Sequence, residues 1–268
     1  MKNEFISHMP AEDYHKIEAL SASSAKVLLK SASHYLAMKE EPFAPTAAMK
    51  LGTVVHTLIL EPEKFEAEVA VSPNFDKRTK FGKQAAEEFD ASSDGKLVID
   101  TYTHERAMRI ADSVRSHPFF KANVKGGKAE TTMLWDQYDC QCKARVDYLL
   151  GDMIFDVKTC QDASPAGFSK QIATYSYHIQ AAHYSMGYRR LFNKKLDSFI
   201  FLAVESEKPH SVGIYRLNKE SLEEGARLMA KAANAYQQVL MSKPKPFYTE
   251  DLMEISIPDW ALPQPFAE

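Results

Sequence analysis

The sequence predicts one α/β domain in which helices flank a central mixed sheet and a helical elaboration precedes that sheet. Three observations support this. Residues 129–136, 139–149 and 152–159 alternate apolar and polar side chains, which is typical of strands. Residues 198–204 form a continuous apolar run, as in a strand buried on both faces. Helical patterns stand before and after these strands, and 268 residues suffice for one large domain with a sizeable core.

The composition excludes several classes of protein. The apolar and charged fractions, 45% and 26%, are those of an ordinary globular chain. No run of 18 apolar residues is present, so no membrane span is expected, and the mixed, charged N-terminus argues against secretion. Cys140, Cys142 and Cys160 form no C-x-x-C pair, which favours a reducing cytoplasm over a disulfide framework or a zinc knuckle. A net charge of −3 leaves nucleic-acid binding open, because a nuclease can line an inner channel with Lys and Arg.

Residues 20–30 give the first helical signal, and a short helix or turn is expected at 31–38. The serines at the start of the first helix suit capping. Together with Lys26 they could instead touch a phosphate at the helix N-terminus, so both interpretations stay open.

Ala47–Leu60 is apolar nearly all round and predicts a buried helix. Gly52 and His56 break this pattern on one face, four residues apart. Glycine costs about 1 kcal/mol relative to alanine in a helix interior, so we expect a close neighbour that needs the room. Taken alone, His56 is typical of a histidine satisfied within the core.

A basic, polar loop is expected at 73–83, after a strand at 65–71. Lys77, Arg78 and Lys80 alternate there with phenylalanines and could clamp a phosphate backbone, although such charge runs are often plain solvated loops. Helices are predicted at 84–91 and 104–115, with a short strand or extended link at 97–99.

The predicted strands at 139–149 and 152–159 carry the residues with the clearest chemistry. Asp156 and Lys158 are two apart and therefore project from one face, and a hairpin around 150–152 would bring Asp147 beside Asp156. Two carboxylates and one ammonium group are what a divalent-metal hydrolase needs. The alternative is an ion pair on a solvated face of the sheet.

A long helix is predicted from 167 to 190, after a loop at 161–166. Gln180 and Tyr184 belong to a polar and aromatic stripe on it and could present an amide and a phenol to one ligand, although such a stripe is usually packing. A strand at 212–217 and an amphipathic helix at 221–241 follow. The tail is expected to be extended and to dock through Trp260 and Phe266.

The order of these features resembles the PD-(D/E)xK nuclease superfamily, with Asp147, Asp156 and Lys158 as the signature residues. More narrowly, residues 6–261 resemble the nuclease domain of exodeoxyribonuclease VIII, the RecE-type recombination exonuclease. The motifs that carry this resemblance are L-G-T-x-x-H and L-E-P within 51–62, N-F-D-K-R-T-K-x-G-K at 74–83, A-E at 129–130, R-V-D at 145–147, F-D-V-K-T at 155–159 and Y-H-I-Q-A-A-H-Y-S-M-G-Y at 177–188.

The resemblance implies a role for each site residue. His56, Asp147, Asp156 and the carbonyl oxygen of Val157 would bind Mg²⁺, for which Mn²⁺ is expected to substitute. Lys158 would position and help deprotonate the attacking water, and a nearby metal ion should favour its neutral amine. Glu130 would orient Lys158 or bind a second metal through water, although it could simply cap the strand edge. Gln180 and Tyr184 would hold the DNA backbone beside the scissile phosphate.

The resemblance further implies 5′ to 3′ digestion of one strand of linear double-stranded DNA. The 3′ single-stranded tail would pass to an annealing protein of the RecT type in phage-type recombination. Such enzymes form ring-shaped homo-oligomers, and a tetramer is favoured here over a trimer. Candidate residues of the basic lumen are Lys77, Arg78, Lys80, Arg189 and Arg190.

On this interpretation residues 1–268 form a single nuclease domain. A helical part with His56 spans about 1–125, the catalytic α/β core about 126–218, and a C-terminal helix and tail about 219–268. Alternatives are a restriction or junction-resolving endonuclease of the same superfamily and a catalytically inactive module that binds DNA ends. A nuclease with an iron–sulfur cluster needs four cysteines, and this chain has three.

Overall fold

The computed structural model describes residues 3–41, 44–242, 244–258 and 261–262. In these residues the chain forms a six-stranded sheet with helices on both faces, and a separate two-stranded parallel sheet. The predicted class, a central mixed sheet flanked by helices, is therefore confirmed.

The helices follow one another along the described chain as α1 (Ala11–Lys16), α2 (Ala22–Lys30), α3 (Ala32–Glu40), α4 (Ala47–Leu60), α5 (Phe65–Glu68), α6 (Lys80–Ser92), α7 (Thr101–Ser116), α8 (Pro118–Asn123), α9 (Pro165–Thr174), α10 (Tyr177–Phe192) and α11 (Lys219–Met241). The strands are β1 (Glu4–Ile6), β2 (Val69–Ser72), β3 (Leu97–Asp100), β4 (Lys128–Gln137), β5 (Cys140–Leu150), β6 (Met153–Cys160), β7 (Ser198–Glu205) and β8 (Val212–Arg216).

The large sheet has the strand order β1-β4-β5-β6-β7-β8. Strands β6 and β7 run parallel, whereas each other neighbouring pair is antiparallel. A parallel pair needs a crossover connection, and here α9 and α10 provide it. The crossover packs α10 on β4 and β5 and brings its Gln180 to Asp156 of β6.

Two hydrophobic clusters cover the faces of this sheet. The first holds Leu28 of α2, Ile179 of α10 and Met229 of α11, and the second holds Val55 of α4 and Ile110 of α7. On β6, Ile154 belongs to the first cluster while Phe155 and Val157 belong to the second, which confirms the predicted faces of this strand.

The alternation predicted for β5 changes face at Asp147. Cys140, Cys142, Ala144 and Val146 pack in the first cluster as the alternation predicts, but Tyr148 packs in the second. The ladder with β6 reaches only to the pair Tyr148 and Phe155. In the register of β4 and β5, Glu130 stands opposite Asp147 and has a φ of 49°, which is left-handed. The regular pleat is thus distorted where the candidate catalytic carboxylates lie.

Two predicted boundaries around the catalytic core are wrong. The predicted helix 167–190 is two helices, because Ser176 adopts a left-handed conformation with a φ of 54° between α9 and α10. The predicted strand 65–71 begins only at Val69, after a 3-10 turn and the short helix α5. The short elements β1 and α1 were not expected.

The basic loop is also shorter than predicted. The side chain of Thr79 caps α6 by accepting a hydrogen bond from the N–H of Gly82, so Lys80 already belongs to the helix. In α4, a Cβ atom on Gly52 would lie 3.4 Å from Oγ1 of Thr159, an ordinary van der Waals distance. The close neighbour expected at Gly52 is therefore not found.

Part of the C-terminal tail packs on α3. The carbonyl oxygen of Lys245 accepts a hydrogen bond from Ser33, and the rings of Tyr248 and His34 lie 6.1 Å apart. Trp260 and Phe266, the predicted docking residues, lie outside the described residues. Among the helices described, none combines the length and the apolar character needed to cross a bilayer.

Candidate active site

Asp147 lies at the point where β5 and β6 separate. The main-chain N–H of Val157 donates a 2.8 Å hydrogen bond to Oδ2 of Asp147, in place of continued pairing between the two strands. Asp147 therefore stands beside β6, as the predicted hairpin required. Burial raises the pKa of this carboxyl to about 7, although the neighbouring His56 acts in the opposite direction.

Asp156 and Lys158 form an ion pair inside the protein. Asp156 is fully buried, and its Oδ2 lies 2.5 Å from Nζ of Lys158. Gln180, on α10, donates a 2.7 Å hydrogen bond to the other carboxylate oxygen. A solvated ion pair on an open sheet face is thus the wrong interpretation, and a buried charge needs such partners.

The pKa of Lys158 reflects two opposing influences. Burial lowers it, but the attraction of the Asp156 and Asp147 carboxylates outweighs burial and leaves the pKa raised. These carboxylates therefore favour the ammonium form of Lys158. The ammonium group also lies 5.0 Å from the ring centre of Tyr177, a cation–π distance.

His56 reaches the same point from the opposite face of the sheet. Its Nε2 lies 2.8 Å from the carbonyl oxygen of Val157 and 3.5 Å from Oδ2 of Asp147. Helix α4 thus directs this histidine at the site. The two groups that hold Asp147 and His56 in place, N–H and C=O, both belong to Val157.

The residues present fit a divalent cation. Ligand atoms of His56, Glu130 and Asp147 all lie within 4.8 Å of one another, and the carbonyl oxygen of Val157 is in contact with His56. Carboxylate and carbonyl oxygens suit Mg²⁺ and Mn²⁺, with imidazole as a further ligand. A cation would also offset the cost of ionising the buried Asp147. Asp156, predicted as a ligand, is not in this three-residue group, and its oxygens contact Lys158 and Gln180 instead.

Glu130 is positioned for the metal more directly than for Lys158. Its Oε2 lies 2.5 Å from Nε of Arg145 on the neighbouring strand. A left-handed conformation is unusual for a residue other than glycine and costs of order 1–3 kcal/mol, which the surrounding structure must offset. Its place beside His56 and Asp147 fits a ligand of the cation, and the contact with Arg145 holds its carboxylate in position.

Gln180 and Tyr184 differ in their access to a ligand. Gln180 is half-buried and contacts Asp156. Tyr184 is only 8% exposed and packs in the first cluster, and burial raises the pKa of its phenol well above the ordinary value. Tyr184 therefore lies buried next to the site, close enough to Gln180 for a side-chain hydrogen bond, whereas Gln180 itself is partly accessible.

Lys26 is a member of the site that the sequence indicated only as one of two alternatives. Its ammonium lies 5.2 Å from the centre of the Tyr177 ring, so Lys26 and Lys158 approach the same ring. Burial lowers the pKa of Lys26 to about 8, and the charge of Lys158 acts in the same direction. The serine signal is confirmed as capping, since Ser21 accepts a hydrogen bond from the N–H of Ser24. No spacing rule could have linked Lys26 to Tyr177, which is 151 positions later in the sequence.

The predicted basic residues lie elsewhere on the surface. Lys77, Arg78 and Lys80 are exposed at and before the start of α6, and Arg78 pairs with Asp76 at 2.9 Å. Arg190 follows Gln180 by ten residues, which corresponds to about 15 Å along α10, and it donates a hydrogen bond to Gln137. Their predicted place in the lining of a lumen that holds DNA remains a prediction.

Comparisons with known proteins agree with this fold. A family model described as a PDDEXK-like domain of unknown function (DUF3799) matches residues 21–255. The crystal structure of a candidate exonuclease from Eubacterium rectale is similar over 94% of this chain and 96% of that one, at 13% identity and a TM-score of 0.65. Such a likeness shows the fold alone. A crystal structure of SSO0001 matches 74% of this chain and 89% of that one at 12% identity, but its TM-score of 0.31 is too low to support an argument. No curated protein matches the chain.

The family match covers most of the chain, including every residue of the site described above. It supports the PD-(D/E)xK superfamily and leaves the narrower RecE-type resemblance an expectation. On the strength of this match, the chain belongs to the family of PDDEXK-like domains.

Proposed function

We propose that this protein is a Mg²⁺-dependent exodeoxyribonuclease that degrades linear double-stranded DNA from 5′ to 3′ and leaves 3′ single-stranded tails. One observation carries the proposal. The group formed by His56, Glu130 and Asp147 lies next to the buried pair of Asp156 and Lys158. Ligands for a hard cation and a cationic group for phosphate thus share one site, which is what metal-dependent phosphodiester hydrolysis requires.

The cation, when bound, would supply Lewis-acid stabilisation of the charge on the scissile phosphate. The protein's own residues supply position and charge. Asp156 holds the ammonium of Lys158, and Gln180 fixes the Asp156 carboxylate from the other side. Lys158 would then donate hydrogen bonds to the phosphate or to the attacking water. Lys26 adds a second ammonium group beside the Tyr177 ring.

The finer parts of the proposal rest on other support. Exonuclease rather than endonuclease activity is supported by the RecE-type motifs and by the candidate exonuclease that shares this fold. The 5′ to 3′ direction, a ring-shaped homo-oligomer and a partner of the RecT type rest on the sequence resemblance alone.

The test is digestion of linear duplex DNA labelled separately at its 5′ and 3′ ends, with closed circular duplex alongside, in Mg²⁺ and in EDTA. We expect Mg²⁺-dependent loss of the 5′ label first and survival of the circle. Asp156→Asn should abolish digestion. Asp152→Asn, which alters an exposed ion pair with Lys194 in the same hairpin, should not.

Each other outcome contradicts a stated part of the proposal. Cutting of the closed circle identifies an endonuclease, and loss of the 3′ label first reverses the direction. Binding of duplex ends without any Mg²⁺-dependent digestion identifies a catalytically inactive module. Normal digestion by Asp156→Asn or Lys158→Ala would contradict the roles assigned to these two residues.

A further inference from the structure

A cleft opens beside the candidate active site, between α4, α7, α9 and the ends of β6 and β7. Its volume is about 810 Å³, within the range of about 300–1,000 Å³ that is usual for ligand sites. Thr159 and Tyr177 belong to its wall. Thr159 directly follows Lys158, and Tyr177 lies under the Lys158 ammonium, so the cleft begins next to the reacting groups.

Two aromatic rings form one side of this cleft. Tyr175 and Tyr177 are stacked, with ring centres 5.7 Å apart and planes inclined by 25°. The left-handed Ser176 between them breaks the helix at this position. Tyr175 is 54% exposed and lines the cleft, so its ring is accessible to a ligand there.

Ala47, Ala48 and Leu51 make part of the remaining wall apolar, and the other part is polar and suited to a sugar–phosphate chain. It carries the cationic groups of Arg106 and Lys170, the amides of Gln161 and Gln171, and threonine hydroxyls. Such groups supply most contacts to phosphate and sugar in protein–DNA interfaces. One carboxylate, Glu207, also lies in the wall and is paired with Arg106.

The combination of a stacked ring pair and phosphate-binding side chains fits a single strand. An exposed ring binds the flat face of an unpaired base, and this face is covered by neighbouring bases in a duplex. Stacking of this kind tolerates any base, because every base has such a face. A nuclease that digests without regard to sequence needs that tolerance.

We propose that this cleft binds single-stranded DNA beside the scissile phosphate, with Tyr175 as the platform on which an unpaired base stacks. The inference rests on the proposed nuclease function for the identity of the strand. Tyr175 is assigned as a DNA-binding residue outside the reacting groups, since it stacks on Tyr177, the ring that the Lys158 ammonium contacts.

The experiment measures binding of a fluorescent dodecathymidylate by anisotropy, with the full chain, in EDTA so that no cleavage occurs. We expect Tyr175→Ala to weaken binding about tenfold and Tyr175→Phe, which keeps the ring, to bind as the wild type does. Tyr102→Ala serves as the control, because Tyr102 is 65% exposed on α7 and does not line the cleft. Thermal unfolding of each variant verifies that it is folded.

A second probe isolates the base. With an abasic oligomer of the same length, wild type and Tyr175→Ala should bind equally, because the stacking partner is gone. Equal affinity of wild type and Tyr175→Ala for dodecathymidylate would overturn the inference. So would a Tyr175→Phe variant that binds as weakly as Tyr175→Ala, or a Tyr175→Ala variant that also loses affinity for the abasic oligomer.

The two proposals can fail separately. The protein could digest the labelled duplex while Tyr175→Ala binds dodecathymidylate as the wild type does. That result would contradict the cleft assignment and leave the nuclease function in place. Binding that depends on Tyr175, without any Mg²⁺-dependent digestion, would support the cleft assignment and contradict the nuclease function.

Discussion

The main-chain N–H of Val157 donates a 2.8 Å hydrogen bond to the Asp147 carboxylate, and its carbonyl oxygen lies 2.8 Å from Nε2 of His56. One residue of β6 thereby orients two side chains that come from β5 and from α4. This arrangement brings two of the candidate metal ligands into place before a cation binds. It also keeps Asp147 buried, where ionisation is costly until a cation is present.

Replacing His56 by Asn should weaken binding of Mn²⁺ by at least about tenfold, because the imidazole nitrogen next to Asp147 and Val157 is lost. Isothermal titration with the metal-free protein measures this directly. Thermal unfolding gives a second readout, since a cation at about 100 times its Kd should stabilise the wild type by about 2.7 kcal/mol. His34→Asn, on α3, is the control and should behave as the wild type does. Unchanged metal affinity in His56→Asn would rule out His56 as a ligand.

Removing the Lys26 ammonium should reduce kcat/KM for duplex DNA by roughly tenfold or more, because a charged hydrogen bond to phosphate contributes about 1.5–3 kcal/mol. Lys26→Met keeps much of the side-chain length and removes the charge. Lys30→Met changes an exposed lysine on the same helix and is the matched control. Equal rates for the two variants would place Lys26 outside the reaction.

Acid should destabilise the protein partly through His183. Burial lowers the pKa of this histidine to about 4, and its Nε2 contacts the carbonyl oxygen of Lys143. In the unfolded chain His183 has an ordinary pKa near 6.5. Between about pH 6.5 and pH 4 the unfolded chain therefore binds a proton that the folded chain does not bind. Stability is therefore full above about pH 6.5 and is lost as the pH falls towards about 4, by about 3 kcal/mol in all.

A His183→Gln variant checks this assignment by denaturant unfolding at several pH values. It should be less stable than the wild type at pH 7.5 because packing changes. Between pH 6.5 and pH 4, however, it should lose about 3 kcal/mol less stability. The exposed His8→Gln should keep the wild-type pH dependence. Parallel curves for wild type and His183→Gln would show that His183 does not contribute.

The helix glycines Gly52 and Gly225 should respond oppositely to alanine. A Cβ on Gly52 meets only an ordinary contact at 3.4 Å, so Gly52→Ala should gain up to about 1 kcal/mol of stability from helix propensity. A Cβ on Gly225 would lie 2.1 Å from the carbonyl oxygen of His178, a backbone atom that cannot move aside cheaply. Gly225→Ala should therefore lose at least about 2 kcal/mol. Denaturant midpoints measure both, and destabilisation by Gly52→Ala would show that Thr159 needs the space.

Period-two patterning predicted the two faces of β6, and the structure confirms them: Phe155 and Val157 pack on one side and Ile154 on the other. The same rule fails on β5 at Asp147. The pairing of β5 with β6 stops there, and the neighbouring residue on β4, Glu130, is left-handed. Helix periodicity likewise ran through Ser176, because no glycine or proline marks the break there. Periodicity rules describe regular elements, and both positions depart from the regular backbone: Asp147 bonds to the N–H of Val157 on β6, and Ser176 is left-handed.

The sequence by itself determined the α/β class, the alternating strands with Asp147, Asp156 and Lys158, and the buried helix that carries His56. Only the tertiary structure decided that Tyr184 is buried while Gln180 stays partly accessible, that Glu130 joins His56 and Asp147, and that Lys26 approaches Tyr177. The physical reason is distance along the chain. Periodicity fixes which side of one element a residue occupies, whereas the packing of α2, α4 and α10 on the sheet fixes which of those sides meet.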